Sequence, residues 1–347
     1  MRSRLSSLLT LVIGLSAGVC SAPAVQDPWF HAAQGLAAAE GFPGYANLCD
    51  LESRVRDVNA RQGQSKRGEN AGQSRPTGSR TPAKPLPPTR IFDNLYFFGT
   101  SSVGAWLYGT EEGYLLIDSL NNDQEAEQYI LGGMAELGLE SSAIRYILVT
   151  HAHGDHYGGA DLLAERLGIE IMMSAPDWLL ARNMGTHPRF GPPPVSGLTV
   201  HDGQTVSFGR SKLDIHLTPG HTPGTISPVF EVQDGDARHS VMLWGGTGFN
   251  FGPNVAMFEA YADSAIKMRE ISRASRVDVF VSSHPRRDGS IAMMSELANR
   301  ASGAPHPFVR GESGYALFTV LEQCALAQAA RFQIESSQQQ NESHLNK

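Results

Sequence analysis

The chain has 347 residues, room for one large domain or two modest ones. Apolar residues make up 41%, ample for a sizeable core. A formal net charge of −7 argues against a nucleic-acid partner, for which a basic balance is expected.

Residues 1–24 read as an export signal. Arg2 and Arg4 give a positive start, residues 8–19 are a short apolar run, and Ala22-Pro-Ala24 offers a small-residue cleavage site. The run is too short to span a bilayer, and no later segment is long enough to do so. The expectation is a periplasmic or secreted protein with no membrane attachment after cleavage. Cleavage would remove Cys20 and leave Cys49 and Cys324. An oxidising compartment would let these two pair; two separate buried thiols are the other reading.

Residues 25–60 form a short N-terminal segment with helical patterns at 30–39 and 48–58. Residues 61–87 change character: Gly, Ser, Pro, Gln and Arg dominate, and apolar residues nearly vanish. Such a composition cannot bury enough surface to order itself, and it reads as a flexible linker. A catalytic domain should occupy residues 88–332, followed by a polar tail, 333–347. Within it, strands are expected at 91–98, 102–108, 113–118, 144–150 and 169–174, with helices at 124–137, 161–167 and 176–183. The second half repeats the style. Strands are expected at 213–217, 225–232, 241–245 and 277–283, and helices at 260–275, 291–300 and 314–331. Two strand-rich halves with helices outside suggest two packed sheets covered on both faces, an αββα sandwich.

The densest chemistry lies in His151-Ala-His153-Gly-Asp155-His156, just after an apolar strand. Imidazole nitrogen and carboxylate oxygen are ligands that zinc favours at catalytic sites. In an extended loop alternate side chains point the same way, so His151 and His153 could grip one ion while Asp155 and His156 face a neighbouring position. One loop cannot fill two sites. Of the twelve histidines, the best further partners are His221, in Thr218-Pro-Gly-His-Thr-Pro-Gly224, and His284, in Val281-Ser-Ser-His-Pro285. Each directly follows an apolar strand, where loops can converge on one cleft. His216, His187 and His201 look weaker, and His31, His239, His306 and His344 read as solvent-facing. Asp118, at a strand end, either orients the histidine loop from behind or satisfies turn amides. Trp106, Trp178, Trp244 and Phe249 either wall the cleft or belong to the core.

These motifs resemble the metallo-β-lactamase superfamily, and most the third subclass of the zinc (class B) β-lactamases. The resemblance spans about residues 86–331. It rests on the histidine loop, Gly113-Tyr-Leu-Leu-Ile-Asp118, Pro219-Gly-His-Thr-Pro-Gly224, Ser283-His-Pro285 and His306-Pro-Phe308. It implies the αββα four-layer fold and two Zn2+ ions. One would be held by His151, His153 and His221, the other by Asp155, His156 and His284. It implies a hydrolase that uses a metal-bridging hydroxide, with Asp155 also orienting the nucleophile. The substrate would be a small molecule: a cyclic amide such as a β-lactam, or alternatively a lactone, thioester or other ester. Iron-based redox members usually carry a bridging or additional carboxylate, so the five-histidine, one-aspartate set fits zinc better. Where the third subclass places serines for the lactam carboxylate, this chain has Gly245-Gly-Thr-Gly248, which weakens the case for lactams. Sequence alone leaves the oligomeric state open.

Overall fold

A computed structural model describes residues 27–59 and 83–345. The expected signal segment and most of the linker lie outside the described residues. Among the described residues, twelve strands form two sheets. The first holds β1 (Thr89–Phe92), β2 (Leu95–Gly99), β3 (Gly104–Thr110), β4 (Gly113–Ile117), β5 (Ile144–Leu148), β6 (Glu170–Ser174) and β7 (Leu198–Val200), in that spatial order. Pairing is antiparallel from β1 to β4 and parallel from β4 to β7. The second sheet holds β8 (Thr205–Phe208), β9 (Ser211–Asp214), β10 (Val229–Asp234), β11 (Ala237–Trp244) and β12 (Val279–Ser282), in the order β12-β11-β10-β9-β8.

Period-two alternation stacks the layers. Phe97, Trp106, Tyr108, Leu115, Ile117 and Leu148 point from the first sheet into a shared core, where they meet Phe230, Val232, Val241, Leu243, Val279 and Val281 of the second. The intervening residues Phe98, Leu107, Leu116 and Ile147 face outward onto the helical segment from Asp123 to Glu136 and the helices Ala160–Leu167 and Ala175–Asn183. Met242, Trp244 and Phe280 face the other way, onto helices Pro28–Ala38, Val255–Ala274 and Ala316–Leu345. The result is the expected αββα sandwich.

Several boundaries differ from the expectation. Residues 91–98 are not one strand: Asp93 and Asn94 turn the chain, giving the β1–β2 hairpin. The helix expected at 48–58 is absent. A 3-10 helix, Pro43–Cys49, covers only its first two residues, and the chain then runs without regular helix towards Asn59. β7 and β8 escaped the sequence pattern because they are short and largely exposed. The polar tail continues as helix to Leu345. Cys49 and Cys324 form a disulfide, which ties the N-terminal segment to the last helix.

Candidate metal centre

The three loops that carry the candidate ligands follow strands whose ends meet along one side of the sandwich. β5 leads into the histidine loop, β9 leads towards His221, and β12 runs directly into Ser283 and His284. The histidine loop is turned rather than extended. The His153 N–H donates to the His151 carbonyl at 2.9 Å, and Gly154–Tyr157 then forms a single helical turn. That turn, not strand-like alternation, swings Asp155 and His156 away from His151 and His153.

The structure brings all six expected ligands together in two groups, His151/His153/His221 and Asp155/His156/His284. In the first, His221 Nε2 lies 3.0 Å from both His153 Nδ1 and His151 Nε2. In the second, His156 Nε2 is 3.2 Å from His284 Nε2, and the Asp155 oxygens lie 3.8 and 3.9 Å from those nitrogens. The rings of His151 and His156, one from each group, are 4.0 Å apart between centroids. A tetrahedral ion about 2.0 Å from each nitrogen would space them about 3.3 Å apart, close to these distances.

The outward ring nitrogens argue for the same chemistry. His156 Nδ1 faces Asp118 Oδ2 at 2.8 Å, His284 Nδ1 faces the Ser102 carbonyl at 2.8 Å, and His221 Nδ1 faces the Gly248 carbonyl. These partners only accept, so each ring proton sits outside and the inner Nε2 keeps its lone pair. Thr150 Oγ1 donates to Asp118 and accepts from His151 Nδ1 at 3.1 Å, with the same result. Lone pairs crowded at 3.0–3.2 Å with no proton between them suit a cation.

Three buried carboxylates hold the loops. Asp118 accepts from Thr150 N–H, the Thr150 hydroxyl, His156 and Ser283 Oγ, so it joins the histidine loop to the His284 loop. Its φ of 63° is one of three left-handed non-glycine backbones among the described residues. Asp177 accepts from Ala152 N–H, Thr222 Oγ1 and Gly224 N–H, joining the histidine loop to the His221 loop. Asp288 accepts from Ser282 Oγ and Ser290 N–H and braces the His284 turn. Sequence reasoning singled out only Asp118, since a lone acid on a helix carries no local signature.

Burial holds the His151 and His221 imidazoles well below their ordinary range, brings His153 down to about 4 and lowers His284. These four are therefore neutral near pH 7, as ligands must be. His156 differs: burial opposes its charge, but the carboxylates of Asp118 and Asp155 raise its pKa. Burial would raise Asp155, yet the surrounding imidazoles of His156, His284 and His153 keep it well below the usual carboxylate range.

A cavity of about 480 Å³ opens over both groups. Its wall includes Arg54 and Arg56 of the N-terminal segment, Arg286 and Arg287 of the His284 turn, Thr247 and Phe249. Trp106, Trp178 and Trp244 are core instead: Trp106 lies between the sheets, Trp178 is carried by the helix Ala175–Asn183 and packs in the layer between the first sheet and its helices, and Trp244 packs under the helices of the second sheet. The glycines after β11 have a packing reason. A Cβ on Gly246 would fall 2.3 Å from the His221 Cβ, so neither a serine nor an acid fits there without moving the His221 side chain. Two histidines expected at the surface are buried: His306 stacks on Phe92 at 4.1 Å, and His31 contacts Gln323 Oε1 at 2.7 Å. His239 is half-buried, 2.7 Å from Asp278.

Residues 99–235 match the model of the metallo-β-lactamase superfamily. The chain is 30% identical over 159 residues to a probable metallo-hydrolase, YqgX, of Bacillus subtilis, a match covering 43% of this chain and 71% of the relative. It is also 30% identical over 104 residues to a hydroxyacylglutathione hydrolase of Anaeromyxobacter dehalogenans, but spans only 35% of that relative. Among solved structures, BJP-1, a subclass B3 metallo-β-lactamase of Bradyrhizobium japonicum, superposes with a TM-score of 0.55 at 24% identity, covering 76% of this chain and 98% of the other. A metallo-β-lactamase of Cronobacter sakazakii does so with a TM-score of 0.59 at 26% identity, covering 74% and 97%. The chain belongs to the metallo-β-lactamase superfamily and is a metal-dependent hydrolase of that fold.

Proposed function

We propose that this protein is an exported dizinc hydrolase that opens a cyclic amide bearing a carboxylate, with β-lactams as the leading candidates. The carrying observation is the pair of adjoining ligand groups beneath an arginine-rimmed cavity. His151, His153 and His221 would hold one zinc; Asp155, His156 and His284 would hold the other. Bound zinc supplies Lewis acidity towards a carbonyl oxygen and lowers the pKa of water to about 7. Asp155, ionised and partly exposed at the cavity floor, would orient the attacking water by accepting its hydrogen bond. Arg54, Arg56, Arg286 and Arg287 would offer the substrate carboxylate the anchor that Gly245 and Gly246 cannot. Thr247 adds a hydroxyl on the same wall.

The domain reading follows the same lines: a catalytic unit at 88–332, with the N-terminal segment docked on it. Export is supported by the signal-like sequence at 1–24 and by the Cys49–Cys324 disulfide, which suits an oxidising compartment. No helix among the described residues is long and apolar enough to cross a membrane.

A thioester or lactone hydrolase is the second reading, favoured by the likeness to a hydroxyacylglutathione hydrolase and by the glycines where a serine anchor would sit. A panel of penicillins, carbapenems, lactones and thioesters, assayed with zinc-loaded protein, separates the two. Turnover of lactams with little turnover of uncharged esters is expected. Ester turnover with failure on every lactam would replace the first reading with the second.

A further inference from the structure

His151, His156, His221 and His284 each lean their outer nitrogen on a group within residues 88–332. His153 does not. Its Nε2 meets Asn59 Oδ1 at 2.7 Å, across 94 positions of sequence. Asn59 stands at the end of the N-terminal segment, outside the stretch that matches the family.

The amide of Asn59 is fixed at both ends. Its Nδ2 donates to the main-chain carbonyl of His221 at 3.0 Å. A carbonyl oxygen only accepts, so the NH2 must face it and Oδ1 must face His153. Oδ1 in turn only accepts, so His153 Nε2 must carry the ring proton. Nδ1 is left with its lone pair, 3.0 Å from His221 Nε2. This proton placement is the reverse of that in the other four imidazoles, which present Nε2. The Asn59 backbone is itself pinned: Val58 N–H donates to the Asn250 carbonyl at 2.7 Å, Gly252 N–H to the Arg56 carbonyl at 2.9 Å, and Asn59 N–H to Asp57 Oδ1 at 3.0 Å. Upstream, the Cys49–Cys324 disulfide anchors the same segment.

We propose that Asn59 is a positioning residue of the metal centre: the N-terminal segment supplies the acceptor that fixes His153 as an Nδ1 ligand and ties it to the His221 loop. The role rests on the metal reading above, and the test separates the two. Zinc or cobalt affinity is measured by competition with a chromophoric chelator on the intact, disulfide-bonded protein. Wild type that takes up no metal defeats the metal reading, and this role with it. If wild type binds, Asn59→Leu should weaken the affinity about 10–100-fold. Asn59→Asp keeps an acceptor for Nε2–H and should recover at least part of that loss. Unchanged affinity in Asn59→Leu, or equal losses in both variants, overturns the positioning role and leaves the metal reading standing. A further measurement needs no variant. The 15N imidazole shifts of metal-free wild type should show His153 protonated at Nε2 and bare at Nδ1; the opposite tautomer overturns the proposal.

Discussion

Asp177 holds two ligand loops with one carboxylate, and burial sets the conditions under which it does so. Its pKa is pushed up to about 6 by desolvation, against the hydrogen bonds of Thr222, Ala152 and Gly224 that favour the ionised form. A carboxyl raised in the folded state contributes stability that is complete below about pH 4 and is lost as pH rises through about 6. Denaturant unfolding of metal-free protein should therefore show wild type losing stability relative to Asp177→Asn between pH 4 and pH 6, by roughly 2–3 kcal/mol. A difference that stays flat across that window would mean Asp177 is not raised. The six residues of the two candidate metal-binding groups were legible in the sequence because each directly follows or lies close to an apolar strand. Asn59 was not. It sits in a polar stretch and reaches His153 only through tertiary folding. Asp177 and Asp288 were equally silent, since single acids near helix starts are common and only the fold brings amide donors to them.

Short apolar runs made most of the strands readable, because one face of each sheet packs on the other sheet and one on helices, so few strand positions are left to polar residues. That signal failed where the chain turns without losing hydrophobicity. Phe92 and Leu95 are both buried, so the Asp93-Asn94 turn between them hides inside an apolar run. The helical pattern at 48–58 misled in its own way: there the end of a 3-10 helix gives over to an irregular stretch shaped by its contacts with residues 250–252 and the disulfide. By sequence the segment after β11 lacks a serine anchor; the structure gives Gly246 a positive reason, close approach to His221. Gly246→Ala should consequently cost about 1–3 kcal/mol by overpacking and weaken metal binding about tenfold or more, since the new methyl must displace the His221 side chain. Thermal melting and chelator competition on one preparation check both effects. Wild-type metal affinity in this variant would mean the His221 loop yields freely.

At the scale of the whole molecule, three loops separated by up to 133 positions converge because strand ends of both sheets open on one side. The N-terminal segment closes over that side, fastened by Cys49–Cys324 to the last helix and by backbone hydrogen bonds to residues 250–252. A disulfide closing so long a loop stabilises by about 2–5 kcal/mol, so the segment is held to the body of the enzyme rather than trailing from it. The fold class could be read from the order of elements, but this closure could not, because nothing local in residues 27–59 indicates what they cover. The central claim is that two adjoining cation sites are built by separate triads, and metal analysis tests it most directly. Purified wild type should carry two zinc ions per chain, with His153→Ala and His284→Ala each retaining about one. Absence of bound metal in wild type, or full occupancy in both variants, would contradict the account.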